Sequence, residues 1–220
     1  GLITKFDARR HATKIAGEIA SNGARRLAHQ LVRGLEELNQ AKPETLAEAY
    51  KSGRAYITAA VLNEKDTLAS VNQLAVDKKL VGDYVIAMQK SVDDIGKAQL
   101  TALENHMRAA ARKLKTNPVV LQMTDLEKQA AKIIPKPTAK VKENGYRGYQ
   151  DYLSKVPKDV QSKYPLKGRV NTGELQLLIN GSHSALDIKN MLDAQYQTKT
   201  DLQDVLNHLE ILKAAGLIEM

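Results

Sequence analysis

Fold class can be read from one stretch, residues 179–218: INGSHSALDIKNMLDAQYQTKTDLQDVLNHLEILKAAGLI. Ser184 and Asp187 have the spacing of a capping box, in which a hydroxyl and a carboxylate three residues on satisfy free N–H groups at a helix start. Thr200 and Gln203 repeat that spacing, and Gly216 is placed for a left-handed C-terminal cap. Between these signals Ile188, Leu192, Leu202, Val205, Leu206, Leu209 and Leu212 recur at helical steps. Two amphipathic helices behind an Asn-Gly turn are therefore expected, with Asn171 or Thr172 capping a third over GELQLLI. LIEM, at the end, is expected to pair as a short strand with a segment near Arg169-Val170.

Working outward, the same periodicity predicts three long helices. One runs from Thr4 to Asn39 on Ala8, Ala12, Ile15, Ile19, Leu27, Leu31, Leu35 and Leu38. Gly17, Gly23 and Gly34 weaken it locally but permit close helix approach. A second is expected with Pro43 at its first position and Leu46, Tyr50, Ile57, Val61, Leu68 and Val71 on its stripe, reaching about Leu74. The third carries Val81, Val85, Met88, Val92, Ile95, Leu103, Met107, Ala110 and Leu114, and ends before Asn117-Pro118. Short connections imply antiparallel neighbours, and helices of this length would be on the order of 50 Å long. Thr124 and Glu127 predict a short fourth helix. The expectation is an all-α protein: an elongated antiparallel bundle over residues 1–134, a basic Pro/Lys/Tyr linker over 135–168, and a small winged-helix-like unit over 169–220.

Composition agrees with helices. One Phe and no Trp leave the core to Ala, Leu, Ile and Val. No run approaches the roughly 20 apolar residues of a membrane span. The absence of cysteine excludes disulfides, thiolate metal sites and a cysteine nucleophile. Gly at position 1 makes a processed or excised form the expectation, so localisation stays open. The net charge of +8 is unevenly spread: +4 over residues 1–42, −1 over 43–73, +3 over 74–115, +5 over 116–168 and −3 over 169–220.

That distribution bears on nucleic acid. A winged helix that reads DNA puts its last helix in the major groove with basic or amide side chains forward. Here that helix holds Asp201, Asp204 and Glu210 against Lys213, the wrong sign for a phosphate lattice. DNA contact through it is not expected. Upstream, YRGYQDYLSKVPKDVQSKYPLKGRV interleaves Tyr146, Tyr149, Tyr152 and Tyr164 with six Lys or Arg, a pattern that can stack bases but is more commonly a connector packed on its own protein. Tyr146, Arg147, Tyr149, Tyr152, Asp201 and Asp204 are the candidate interaction surface.

The C-terminal pattern resembles two known groups. GSHSALDI is similar to the turn and helix of peptide-carrying winged helices from ribosomal-peptide maturation systems. PLKGRV followed by INGSHSALDI and LNHLEILKAAGLI resembles the region after the catalytic domain in some zinc aminopeptidases of metallopeptidase family twenty-eight, chiefly over residues 165–218. That resemblance implies a non-catalytic accessory end, zinc in a parent catalytic domain upstream, and a secreted or periplasmic location. The family's zinc ligands have no counterpart here: His11, His29, His106, His183 and His208 all fall in helical or capping contexts, and His208-Leu-Glu210 lacks the second His of HExxH. Asn180-Gly-Ser182 matches a glycosylation sequon but reads better as a turn. No catalytic residue, cofactor or metal is expected in this chain. The expected role is accessory, with a protein partner or the protein's own catalytic domain, and oligomerisation left open. The alternatives are nucleic-acid binding by the basic bundle and linker, or peptide binding by the winged-helix-like unit.

Overall fold

The structure, a computed structural model, describes residues 5–73, 78–165, 167 and 170–220. It is all-α, with two compact units, Gly1–Leu121 and Gln122–Met220.

The first unit holds α1 (Lys5–Gln40), α2 (Leu46–Ser70) and α3 (Lys78–Lys113), with a 3-10 turn, Val71–Gln73, after α2. Residues 74–77, where the second stripe was expected to end, lie outside the described residues. Helix direction follows from the cross-links. Arg26 of α1 meets Glu64 of α2, and Glu37 meets Tyr56, so partner numbers fall along α2 as they rise along α1. Lys65 meets Asp93 and Val61 lies against Gly96, so α2 and α3 are also antiparallel. Between α1 and α3 the numbers rise together, from Gly17 beside Tyr84 to Asn39 bonded to His106 at 2.8 Å. The result is an up-down-up bundle whose 36-residue helices are about 54 Å long.

Its core is small. Ala12, Ala16, Leu27, Leu38, Ile57, Val85, Val92, Leu103 and Met107 are all buried. A Cβ on Gly34 would sit 3.0 Å from the Gly53 Cα and 3.1 Å from Leu103. The three helices therefore meet where α1 and α2 both lack side chains. One carboxylate also falls on the apolar stripe. Glu64 is 1% exposed and is held by Arg26 Nε and Nη2 at 2.5 and 2.6 Å, in space that Gly23 leaves open. The bond to Glu64 raises the Arg26 pKa above its ordinary value, with burial working against it.

In the first unit the start of α2 departs from expectation. Pro43 lies in a turn rather than at a first helical position: the Lys42 N–H donates to Thr45 Oγ1, and α2 starts at Leu46. α3 stops before Asn117-Pro118 on Lys115, which takes a left-handed φ of 55°.

The second unit contains α4 (Asp125–Ala130), β1 (Lys136–Pro137), α5 (Ala139–Asn144), α6 (Tyr149–Ser154), α7 (Lys158–Lys163), α8 (Thr172–Leu178), α9 (Ala185–Tyr196), α10 (Leu202–Ala214) and β2 (Ile218–Glu219). The capping boxes at Thr124 and Ser184 both form, and Asn171 caps α8. Asp201, not Thr200, caps α10; the Thr200 N–H donates to Asp193 instead. Gly216 has φ 69° and lets the Leu217 N–H reach the Leu212 carbonyl.

Two further expectations are corrected here. Strand β2 pairs antiparallel with Lys136–Pro137 rather than near Val170; Arg169 lies outside the described residues. The described residues of the expected linker, 135–165 and 167, are packed into the second unit rather than acting as a linker. The Ile133 and Pro135 carbonyls accept from Ala185 and Gly181 N–H groups, Thr138 N–H donates to Leu217, and Val141 is buried in the core with Leu175, Ile188, Leu209 and Leu212. α4 and this connector belong to the C-terminal unit.

Two contrasts test this packing. Gly34→Ala should destabilise the bundle by about 2 kcal/mol through overpacking. Gly17→Ala should stabilise it by up to about 1 kcal/mol through helix propensity, because its methyl meets only the Tyr84 hydroxyl at 3.3 Å. Arg26→Ala should cost about 2 to 3 kcal/mol by stranding the Glu64 carboxylate. Lys65→Ala, from an ion pair with both side chains about one-third exposed, should cost under about 1 kcal/mol. Urea unfolding midpoints of the four variants give the comparison.

Candidate interaction site

α10 positions every feature of the C-terminal unit. Its residues from Asp204 to Leu209 are buried without interruption, followed by Ile211 and Leu212. An amphipathic helix buries one stripe, so a helix buried all round needs cover on its polar side as well. Val205, Leu209 and Leu212 face the apolar core. Asp204, Asn207 and His208 meet the connector. Asn207 Nδ2 donates to the Pro165 carbonyl at 2.7 Å, Lys167 N–H donates to Asp204 Oδ1 at 3.2 Å, and the Tyr149 hydroxyl lies 3.1 Å from His208 Nε2.

The candidate residues are thus placed differently from one another. Tyr146 and Tyr149 are half-buried, with rings packed on the core, and do not form a stacking platform. Burial pushes the Tyr146 pKa up to about 12, with Tyr149 adding, and the Tyr146 hydroxyl has no hydrogen-bond partner among the described residues. The Tyr149 pKa is also raised by burial, against a hydrogen bond from Gln176 that lowers it. Tyr152 carries Lys140 over its ring at 4.1 Å. Arg147 is exposed. Asp201 is exposed and spent on the α10 cap. Asp204 is 3% exposed and so cannot belong to an interaction surface; its Oδ2 has no hydrogen-bond partner among the described residues.

Sequence reading missed His208. The ring is 1% exposed, burial lowers its pKa to about 4, and Nδ1 has no hydrogen bond among the described residues. It is a neutral imidazole inside the unit. His183 is also buried, in a turn where Asn180 Oδ1 accepts from the Ser182 and His183 N–H groups. That is the turn role expected of Asn180-Gly181.

A groove of about 190 Å³ lies open between α4, the end of α7 and α10. Leu126, Ile133, Leu206, Tyr164 and Met220 supply apolar lining, and Gln129, Gln203 and Asn207 supply amides. Glu210 is the carboxylate in the lining. Met220 and the neighbouring Ile134 are exposed, at 38% and 42%. Among the described residues no group of three or more His, Asp or Glu side chains is placed to hold a metal ion. Nor is any described helix long and apolar enough to cross a membrane.

Comparison with protein-family models, curated proteins and solved structures gave no match to this chain. The functional reading therefore rests on its own residues.

The two tyrosines should separate in mutation. Tyr149→Phe removes the hydroxyl that meets His208 and should cost about 1 kcal/mol. Tyr146→Phe removes an unsatisfied buried hydroxyl and should be neutral or stabilising by up to about 1 kcal/mol. Thermal unfolding of each variant gives the sign.

Proposed function

We propose that this chain is a non-catalytic accessory region that makes protein contact through its C-terminal unit. The groove between α4, α7 and α10 carries the reading. Protein interfaces gain most of their affinity from a few anchor side chains inserted in desolvated pockets. A groove lined by apolar side chains together with amides and the Glu210 carboxylate is suited to one such apolar anchor with a cationic neighbour facing Glu210.

The order α8, turn, α9, α10, β2 supports reading the unit as winged-helix-like. Together with PLKGRV and INGSHSALDI it supports the likeness to the C-terminal part of a zinc aminopeptidase, docking on a catalytic domain or mediating assembly. In that reading the zinc lies in the catalytic domain, and the protein is secreted or periplasmic. The natural polypeptide that carries this sequence should be tens of kilodaltons heavier than 24.2 kDa and hold about two zinc ions. Intact mass and zinc content measure both; a zinc-free species of 24.2 kDa would overturn the peptidase assignment.

A second reading, nucleic-acid binding, draws on the positive charge of residues 1–42 and 74–115. The helix surfaces weaken it, because bases there alternate with acids: Lys14 pairs with Glu18, Lys97 with Asp94 and Arg108 with Glu104. Duplex DNA titrated in fluorescence anisotropy at physiological salt should bind no tighter than the non-specific range, a Kd of about 1 to 100 µM. Nanomolar, salt-sensitive binding would favour this second reading instead.

A further inference from the structure

We propose that residues 149–165, α6 and α7 with their junction, form an acid-released strap on α10, and that protonation of His208 opens it and widens the groove. This is regulation of the groove proposed above as the contact site, and rests on that reading for its purpose. Opening itself is a property of the chain and can be measured with no partner present.

The strap is attached by polar side chains of α10, with Gln176 of α8 also bonded to Tyr149. Tyr149 meets His208 at its start and Pro165 accepts from Asn207 at its end, with Gln203 Nε2 bracing Asn207 at 2.9 Å. Among the described residues, the half-buried Tyr149 and Tyr152 rings add apolar contact with the core. α6 and α7 have six residues each, no side-chain cap, and no buried residue of their own. Helices so short are not stable alone. Val156, at 3% exposure, is the buried apolar side chain at their junction, and Gly148, with φ 71°, stands where the strap begins. Elements with few buried contacts open at lower free energy than the core they cover. Tyr164, at the other end, is a wall of the groove, so movement of the strap changes what the groove can admit.

His208 supplies the trigger. An imidazolium in its place would be a buried charge. Its contact, Tyr149, is neutral, as is Tyr146 beside Tyr149. Asp204, a turn earlier on α10, accepts from the Lys167 N–H. Of the elements packed on α10, α4 pairs its Lys128 with Asp125, and α9 pairs its Lys189 with Asp193. α7 carries Lys158, Asp159 and Lys163, and β2 carries Glu219. None of these charges shifts the ring; burial alone lowers its pKa to about 4. With the strap open, the ring meets water and returns toward 6.5, its ordinary value. The closed state thus binds fewer protons. Closure is fully favoured above pH 6.5 and weakens as pH falls toward 4.

Hydrogen exchange on the whole chain, expressed as protection factors to remove the intrinsic pH dependence, tests this. Between pH 7.5 and pH 5 the amides of α6 and α7 should lose protection about 30-fold, while those of α9 hold within about threefold. His208→Gln should abolish the difference. Loss of protection by α9 together with the strap, or an unchanged pH response in His208→Gln, would overturn the proposal. If that variant does not fold, an NMR titration of the wild-type ring decides: a pKa near 4 is expected, and one near 6.5 removes the trigger.

Discussion

Burial of the central stretch of α10, residues 204–209, on every side is the constraint to which the C-terminal unit is built. Its apolar side is served by α4, α8 and α9, as in any small helical core. Its polar side is different, because Asp204, Asn207 and His208 cannot be buried without partners, and an unmade hydrogen bond in the interior costs about 1 to 3 kcal/mol. The connector answers with a backbone N–H, a backbone carbonyl and a tyrosine hydroxyl. A stretch rich in Pro, Lys and Tyr thereby becomes a third side of the core.

The two units are held by different means. In the bundle, glycine and alanine let helices approach until backbone meets backbone at Gly34 and Gly53, so dispersion over long contacts does most of the work. Its buried carboxylate, Glu64, is paired with a bidentate arginine. In the C-terminal unit the helices are short, and specific caps and side chain to backbone bonds set their positions. A volume change is therefore the dangerous mutation in the first unit, and a lost polar partner in the second.

Much of this was legible before any coordinates. The capping boxes at Thr124 and Ser184, the cap at Gly216 and the three long stripes all rest on local chemistry, which one sequence carries in full. The polar cover of α10 was not legible. Asp204 looked like surface because acids usually are, and its partner, the Lys167 amide, is contributed by backbone that has no signature in sequence. Glu64 did leave a signal: it falls in step with Ile57, Ala60 and Leu68 on the buried stripe, where a carboxylate asks for a cation. Arg26 could not have been matched to it without the helix register. The strand partner of Ile218–Glu219 was missed because β1 is only two residues long and one of them is proline.

The pairing of Lys136 with Glu219 has a kinetic consequence. It joins positions more than about eighty residues apart, and contacts of that range form only after a large loop has closed. The bundle, in contrast, needs only hairpin-like turns between neighbouring helices. On a ribosome the first unit can fold while the second is still being made, but β1 has no strand to pair with until Glu219 has emerged. Until then Ile133, Val141 and the connector tyrosines await the helices that bury them, and that interval is when a chaperone would find this protein.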